Sequence, residues 1–170
     1  MLTQIISNLG TVHIKGAEGG IIWRASQLLI LNVMASWISS TIVEVSATDS
    51  TSIVGDSVDY VPKFAFTVGA NYTFNWTANL PGFIRLDYSY RDKVDYTDRT
   101  SFPAANVPQV SDPLRNLDAR IGLTYGKAEF QVFGSNLTNE NKWIDPYYAW
   151  DNANRTRPRM VGIKAIYNFD

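Results

Sequence analysis

Few of the residue types that perform chemistry occur in this chain of 170 residues. His13 is its single histidine and cysteine is absent, which excludes a His/Cys metal centre and a catalytic triad built on histidine. Asp92, Asp95 and Asp98 could supply carboxylates to Ca²⁺. Their position near the end of an alternating segment is more simply interpreted as a solvated acidic loop. The sequence therefore predicts no metal and no cofactor.

Asp118 and Glu129 are a second set of acids to consider. Paired carboxylates hydrolyse glycosides when one acts as an acid and the other as a base or nucleophile. Arg120 follows Asp118 by two positions, so balanced charges on the polar side of a strand explain these residues more simply. An enzyme is the least supported class of function.

The segment NENKWIDPYYAWDNANRTRP (139–158) is the richest in groups that bind small molecules. Aromatic rings beside charged and hydrogen-bonding side chains suit sugars or siderophore catechols. The alternative is a loop that packs against neighbouring loops or lipid headgroups. The candidate ligand-contact residues are Trp143, Asp145, Tyr147, Tyr148, Trp150, Asp151 and Arg155.

Strands must position these groups, because apolar residues recur at every second position through most of the chain. The clearest segments are FAFTVGANYTF (64–74), FIRLDYSYRD (83–92), NLDARIGLTYG (116–126) and RMVGIKAIYNF (159–169). The apolar segment 21–38 has the length of a membrane helix, but Arg24 and other polar residues interrupt it, and it divides into two strands around a turn. The pattern predicts an all-β antiparallel meander of about seven long strands between Val12 and Phe169.

The connections between these strands alternate in length. Short turns are predicted around 26–27, 77–82 and 126–127, and long polar stretches at 44–62, 97–113 and 138–158. This asymmetry is typical of outer-membrane barrels, and strands of about 10 to 13 residues suit a tilted membrane crossing. Charged residues make up 18% of the chain, against roughly 25% in soluble domains. A transmembrane barrel is favoured, and the net charge of -1 gives no basic surface for nucleic acid.

Charged residues of the strands alternate with residues that are mostly apolar. In a soluble sandwich they would face bulk water, whereas in a large barrel they would face the lumen and pair across strands. The residues predicted to face the lumen are Arg85, Asp87, Arg91, Asp118, Arg120 and Glu129.

Seven strands do not close a bacterial barrel, which has an even number of about eight or more. An open sheet leaves two edges with unpaired N–H and C=O groups, which hydrocarbon cannot satisfy. We therefore expect residues 1–170 to be the C-terminal slice of a larger barrel, or one of several chains that assemble into one.

Four segments resemble the motifs of one family, in the family's order and over nearly the whole chain. HIKGAEGG (13–20) resembles its KG-x-E strand, and DYVPKFAFTVGANYTF (59–74) resembles P-x-W/F followed by G-x-x-Y-x-F. LRNLDARIGLTYGKAEFQVFGSNLTNENKW (114–143) resembles a strand pair that ends in N-L-T-D, and RPRMVGIKAIYNF (157–169) resembles the closing strand. The chain is thus similar to the C-terminal part of the β-barrel domain of TonB-dependent receptors of the Gram-negative outer membrane.

This resemblance implies a barrel of about 22 strands around an N-terminal plug. Such receptors import a scarce ligand, such as a ferric siderophore, cobalamin or a saccharide, with energy from the inner membrane. The implied partners are outer-membrane lipids, the rest of the barrel and plug, the barrel-assembly machinery and, through N-terminal parts that this sequence lacks, the TonB complex. Alone, the chain is expected to be inactive in transport.

The resemblance also implies that the closing strand is the signal read by the barrel-assembly machinery. The residues of this signal are Ile163, Tyr167 and Phe169. The chain departs from the family pattern at Gly20, where an acidic residue is common, and at Asp170, which follows the usual terminal Phe. Lys164 stands where Gly is common, which would weaken recognition by that machinery.

Two other classes of function stay open. A passive or structural barrel element, of the porin or autotransporter kind, has the same alternation but no energy-coupled uptake. A soluble β-sandwich binding module would bury its alternating faces between two sheets and stay in solution without detergent.

Overall fold

The structure is a computed structural model that describes residues 10–47, 52–95, 110–145 and 154–169. Nine strands are present in these residues: β1 (Gly10–Arg24), β2 (Leu29–Val45), β3 (Phe64–Thr77), β4 (Leu80–Arg91), β5 (Leu114–Tyr125), β6 (Ala128–Ser135), β7 (Trp143–Asp145), β8 (Asn154–Arg155) and β9 (Met160–Tyr167). Seven form one antiparallel sheet in the order β1-β2-β3-β4-β5-β6-β9, and β7 and β8 form a separate ribbon. The predicted antiparallel meander is confirmed.

The strands of the large sheet are long. β1 to β5 contain 12 to 17 residues, whereas β6 and β9 contain 8 each and are shorter than the sequence predicts. β6 ends early because Asn136, with φ of 49°, turns the backbone out of the sheet. The apolar segment 21–38 is divided between β1 and β2. No helix among the described residues is long and apolar enough to cross a membrane.

The cross-strand register brings the more apolar of the two alternating sets of residues to the same side of the sheet in all seven strands. One row of direct partners runs Val33, Val68, Tyr88, Leu117, and another runs Ile84, Ile121, Val132, Ile163. Because side chains alternate between faces, the residues between these positions lie on the opposite side. We call the two sides the apolar face and the polar face.

The apolar face is not covered by other parts of the protein. Among the described hydrophobic residues only Ile42 and Val94 are buried, whereas Ile21 is 70% and Ile163 86% exposed. Contiguous exposed apolar patches of soluble monomers rarely exceed a few hundred Å². A second sheet that would cover this face is absent from the described residues.

Short and long connections lie at opposite ends of the sheet. The turns at 25–28, 78–79 and 126–127 define the turn end, and the connections at 46–63, 92–113 and 136–159 define the loop end. In the first turn the Ser26 hydroxyl accepts hydrogen bonds from the amides of Leu28 and Leu29, at 3.1 and 3.0 Å. Gly126 adopts φ of 58° in the third, where glycine carries little penalty. The predicted alternation of loop lengths is confirmed.

Phe83 and Phe133 are among the apolar residues that lie on the polar face. Their rings lie over glycines of the neighbouring strand: a Cβ added to Gly122 would be 2.6 Å from Phe83 Cε1, and one added to Gly162 would be 2.7 Å from Phe133 Cζ. Each ring thus covers glycine backbone that has no side chain of its own. Such aromatic–glycine pairs help to fix the strand register.

Candidate ligand-binding site at the loop end

Asn136 organises the loop end of the sheet. It follows β6 directly and is 7% exposed. Its backbone amide donates to Asp118 Oδ1 (2.9 Å), and its side-chain Nδ2 donates to the carbonyls of Glu140 (2.9 Å) and Arg157 (2.8 Å). Its Oδ1 accepts from the Glu140 amide at 2.9 Å. One side chain therefore joins both stems of the loop between β6 and β9 to the end of the sheet.

The two stems then pair as the β7–β8 ribbon. The guanidinium carbon of Arg155 lies 3.8 Å from the centroid of the Trp143 ring, a cation–π contact. The Trp143 amide donates to Asp112 Oδ2 at 2.9 Å, and the Asp112 amide donates to the Trp143 carbonyl at 3.1 Å. Asp112 precedes β5, so the ribbon is attached to a second long connection as well.

The structure brings together two of the predicted ligand-contact residues, Trp143 and Arg155. One face of the indole is occupied by the guanidinium group and is therefore not available to a ligand. Asp145 ends β7. The other four, Tyr147, Tyr148, Trp150 and Asp151, lie outside the described residues. Ligand contact by this set stays a prediction.

The six residues predicted to face the lumen share the polar face. The register pairs Arg85 with Arg120 and Asp87 with Asp118. Asp87 accepts two hydrogen bonds from Arg85, Nε to Oδ2 at 2.7 Å and Nη2 to Oδ1 at 2.8 Å, and its Oδ2 lies 3.9 Å from Arg120 Nη2. One carboxylate therefore sits between two cations that would otherwise repel each other. Whether this face lines a lumen stays a prediction.

Glu129 lies apart from this cluster. It is bonded to Gln131, two positions along the same strand, and its cross-strand partner on β5 is Thr124. Asp118 is six positions from Thr124 on β5, roughly 20 Å at the usual rise of a strand. The two acids are therefore too far apart to act as a hydrolytic pair.

Arg91 ends β4 at the loop end and differs from the other charged residues of the polar face. Its Nε and Nη2 atoms are buried and have no hydrogen-bond partner in the described part of the chain. Arg91 lines a cleft of 360 Å³, together with Arg115, Asp118 and Arg157. Asn136 and Ile144 also line it, so the cleft lies beneath the stems of the candidate ligand loop. The sequence grouped Arg91 with Arg85 because alternation predicts a face and not a partner.

No three His, Cys, Asp or Glu side chains among the described residues are placed to hold a metal ion. Asp92 accepts a hydrogen bond from the Lys93 amide at 2.9 Å, and Asp95 forms a bridge with Val110. Asp98 lies outside the described residues, so the alternative of a Ca²⁺ site from these three aspartates is not tested.

The predicted assembly signal lies on the edge strand of the sheet. Ile163 and Tyr167 belong to β9 and point to the apolar face, and Phe169 is 87% exposed. The rings of Tyr167 and Phe169 meet edge to face with centroids 4.8 Å apart. The pair forms an aromatic tip at the turn end of β9, and its recognition by an assembly machinery stays a prediction.

Comparisons with known proteins agree with this architecture. A family model described as "TonB dependent receptor-like, beta-barrel" matches residues 2–154. A similar solved structure is the ferric yersiniabactin uptake receptor FyuA from Yersinia pestis, with a TM-score of 0.76 and 18% sequence identity. The match covers 96% of this chain and 24% of that one, and at this identity it shows the fold alone. No curated protein sequence matches the chain.

Proposed function

We propose, because this chain belongs to the TonB-dependent receptor β-barrel family, that residues 1–170 form the C-terminal part of the barrel wall of an outer-membrane importer. Members of the family are outer-membrane proteins that act with TonB. The remaining strands and the plug would come from sequence outside residues 1–170. In that assembly β1 and β9 would each gain a neighbour on the free edge that they have within the described sheet.

The observation that carries this proposal is the uncovered apolar face. Seven strands present apolar side chains in one register, from Ile21 on β1 to Ile163 on β9, and no described element covers them. Lipid on this face and water on the polar face would satisfy both sets of side chains. The predicted lumen residues, among them Arg85, Asp87 and Arg120, would then lie inside the barrel.

The loop end would face the cell exterior, where ligand is captured. Long connections in barrels of this kind are extracellular, and turns are periplasmic. The stems fixed by Asn136 would hold Trp143 and Arg155 at the outer end of the barrel wall. A ferric siderophore is the first ligand to test, since FyuA is described as an uptake receptor for one. Cobalamin and saccharides are the next candidates.

Uptake by cells tests the proposal. A Gram-negative strain that carries the gene encoding this chain would be given radiolabelled iron bound to a panel of siderophores, with labelled cobalamin and maltodextrin in parallel. We expect accumulation of one ligand that is lost when the gene is deleted, when TonB is deleted, or when a protonophore removes the energy source. Uptake that needs the gene but neither TonB nor energy would contradict the proposal and support a passive barrel.

A further inference from the structure

The buried residues of this chain lie at the loop end and not in the middle of the sheet. The three long connections there span, in chain order, 46–63, 92–113 and 136–159. Apart from glycines, the buried residues of the described part of the chain are Ser40, Ile42, Val94, Ser111 and Asn136. Each of them lies in one of these connections or in the part of β2 that precedes the first connection. The connections are therefore held by packing of their own.

The first connection is seated on the polar face of β2. The Gly55 amide donates to the Ile42 carbonyl at 2.8 Å, and the Ile42 amide donates to the Asp56 carbonyl at 2.9 Å. The Val58 amide donates to Ser40 Oγ at 3.0 Å. The register places Ser40 and Ile42 on the polar face, and both are buried. The first connection therefore covers this face at the loop end of β2.

The second connection is bonded to the first and closed by a buried joint of its own. The Tyr60 amide donates to the Asp95 carbonyl at 3.1 Å, which links the first connection to the second. The Ser111 amide donates to the Val94 carbonyl at 2.9 Å, and Ser111 Oγ accepts the Val94 amide at 2.9 Å. Val94 and Ser111 are 3% and 4% exposed, so water has little access to this joint.

The third connection is joined to the second next to this joint. The Asp112 amide donates to the Trp143 carbonyl at 3.1 Å, and Asp112 Oδ2 accepts the Trp143 amide at 2.9 Å. In the β7–β8 ribbon the Lys142 amide donates to Thr156 Oγ1 at 3.0 Å, and the Thr156 amide donates to the Lys142 carbonyl at 2.9 Å. A continuous series of hydrogen bonds thus runs from the polar face of β2 through all three connections to the ribbon.

We propose that the three connections form one cooperative collar, in which the β7–β8 ribbon controls how firmly the first connection covers the polar face of β2. The collar consists of residues 53–60, 94–95, 111–112, 142–143 and 156. Segments that share hydrogen bonds and a buried joint open together, whereas separate loops open one by one. A group that binds the ribbon would then change access to the polar face of β2 without touching β2. The collar goes beyond the import function and does not depend on it.

Hydrogen exchange followed by mass spectrometry tests the collar in the complete receptor that contains this chain, purified in detergent. A series of contacts does not by itself establish coupling, so the readout must be remote from the substitution. The readout amides belong to the first connection and are hydrogen-bonded in the structure: Gly55, Asp56, Val58 and Tyr60.

The substitutions are made at the bond between the second and third connections. Asp112→Ala removes the acceptor of the Trp143 amide, whereas Asp112→Asn keeps an oxygen at this position. Thr73→Ala is the matched control, since it removes one hydroxyl bond, to the Leu28 carbonyl at 3.3 Å, at the turn end of the sheet.

We expect Asp112→Ala to accelerate exchange of the readout amides about threefold to tenfold. Asp112→Asn and Thr73→Ala should leave their exchange close to that of the unchanged protein. If Asp112→Ala does not fold, Thr156→Val replaces it, because it removes the hydroxyl bonds to Lys142 and Glu140 within the third connection.

Three results would overturn the collar. The first is unchanged exchange of the readout amides in Asp112→Ala, whether or not the Trp143 amide exchanges faster, since the connections would then open independently. The second is an equal acceleration in either control variant, because the effect would not come from the lost bond. The third is fast exchange of the readout amides in the unchanged protein, which would mean that the first connection is not seated on β2. Neither TonB nor a ligand enters this experiment, so its outcome is independent of the import function.

Discussion

The middle and the loop end of the polar face both carry an arginine on β4, and the two arginines have opposite surroundings. Arg85 gives two hydrogen bonds to Asp87, which also lies near Arg120 on the next strand. Arg91, six positions further along, buries two donors without a partner in the described residues. Charge in the middle of the sheet is thus neutralised within the sheet, whereas at the loop end it is not. One polar face thus combines a region where the arginine is paired with a region where, among the described residues, it is not.

Asn136→Ala should produce the largest change, because it detaches the loop end from the sheet. The substitution removes the side-chain bonds to Glu140 and Arg157 and leaves their carbonyls without this donor. Alanine would also be strained at φ of 49°. We expect a loss of about 3 kcal/mol in the free energy of unfolding, measured by urea titration in detergent.

Asn139→Ala is the matched control for this change. Asn139 also has positive φ, 54°, but within the described part of the chain its side chain accepts a single long hydrogen bond, from the Arg159 amide at 3.3 Å. A loss of about 1 kcal/mol is expected from the backbone conformation. Equal effects of the two substitutions would show that φ alone matters and that Asn136 does not hold the stems.

Gly122→Val should produce the next largest effect and tests packing in the middle of the polar face. The new Cβ would meet Phe83 at 2.6 Å, so the ring must move and the strand register loses this support. Overpacking of this kind costs about 2 kcal/mol. Gly19→Val is the control, since nothing lies within 4 Å of its added Cβ. The heat-dependent gel shift of the assembled receptor should be weakened by the first substitution only.

The sequence was sufficient for the strands and faces but not for the partners of their side chains. Alternation predicts the face of Arg85 and of Arg91 equally well, because the period of 2 is a property of the extended backbone. It does not predict that Arg85 forms hydrogen bonds with Asp87, whereas Arg91 ends its strand without a partner among the described residues. In the sequence, Asn136 is recognisable only as the first residue of an N-L-T motif. Its structural role depends on hydrogen bonds to the carbonyls of residues 140 and 157, which the sequence does not predict.

Asp87→Ala should give a smaller effect that salt can modify. It leaves Arg85 directly opposite Arg120 in the register, with no carboxylate between the two cations. The side chains of this cluster are 33% to 47% exposed, so water screens the repulsion and the loss should be about 1 kcal/mol. Raising sodium chloride should reduce this loss. A loss that is independent of salt would mean that Asp87 acts through packing instead of charge.

Arg155→Ala should change the free energy of unfolding least among these substitutions. Its clearer effect should be on the affinity for a ligand that contacts Trp143. The arginine is exposed, and its contact with the Trp143 ring is worth about 0.5 kcal/mol at such a position. Removing it uncovers the second face of the indole without breaking the hydrogen bonds that Trp143 makes with Asp112. If Trp143 stacks on the ligand, its fluorescence should still respond to that ligand in Arg155→Ala, and the response should be lost in Trp143→Leu. An unchanged affinity in both variants would show that Trp143 does not contact the ligand.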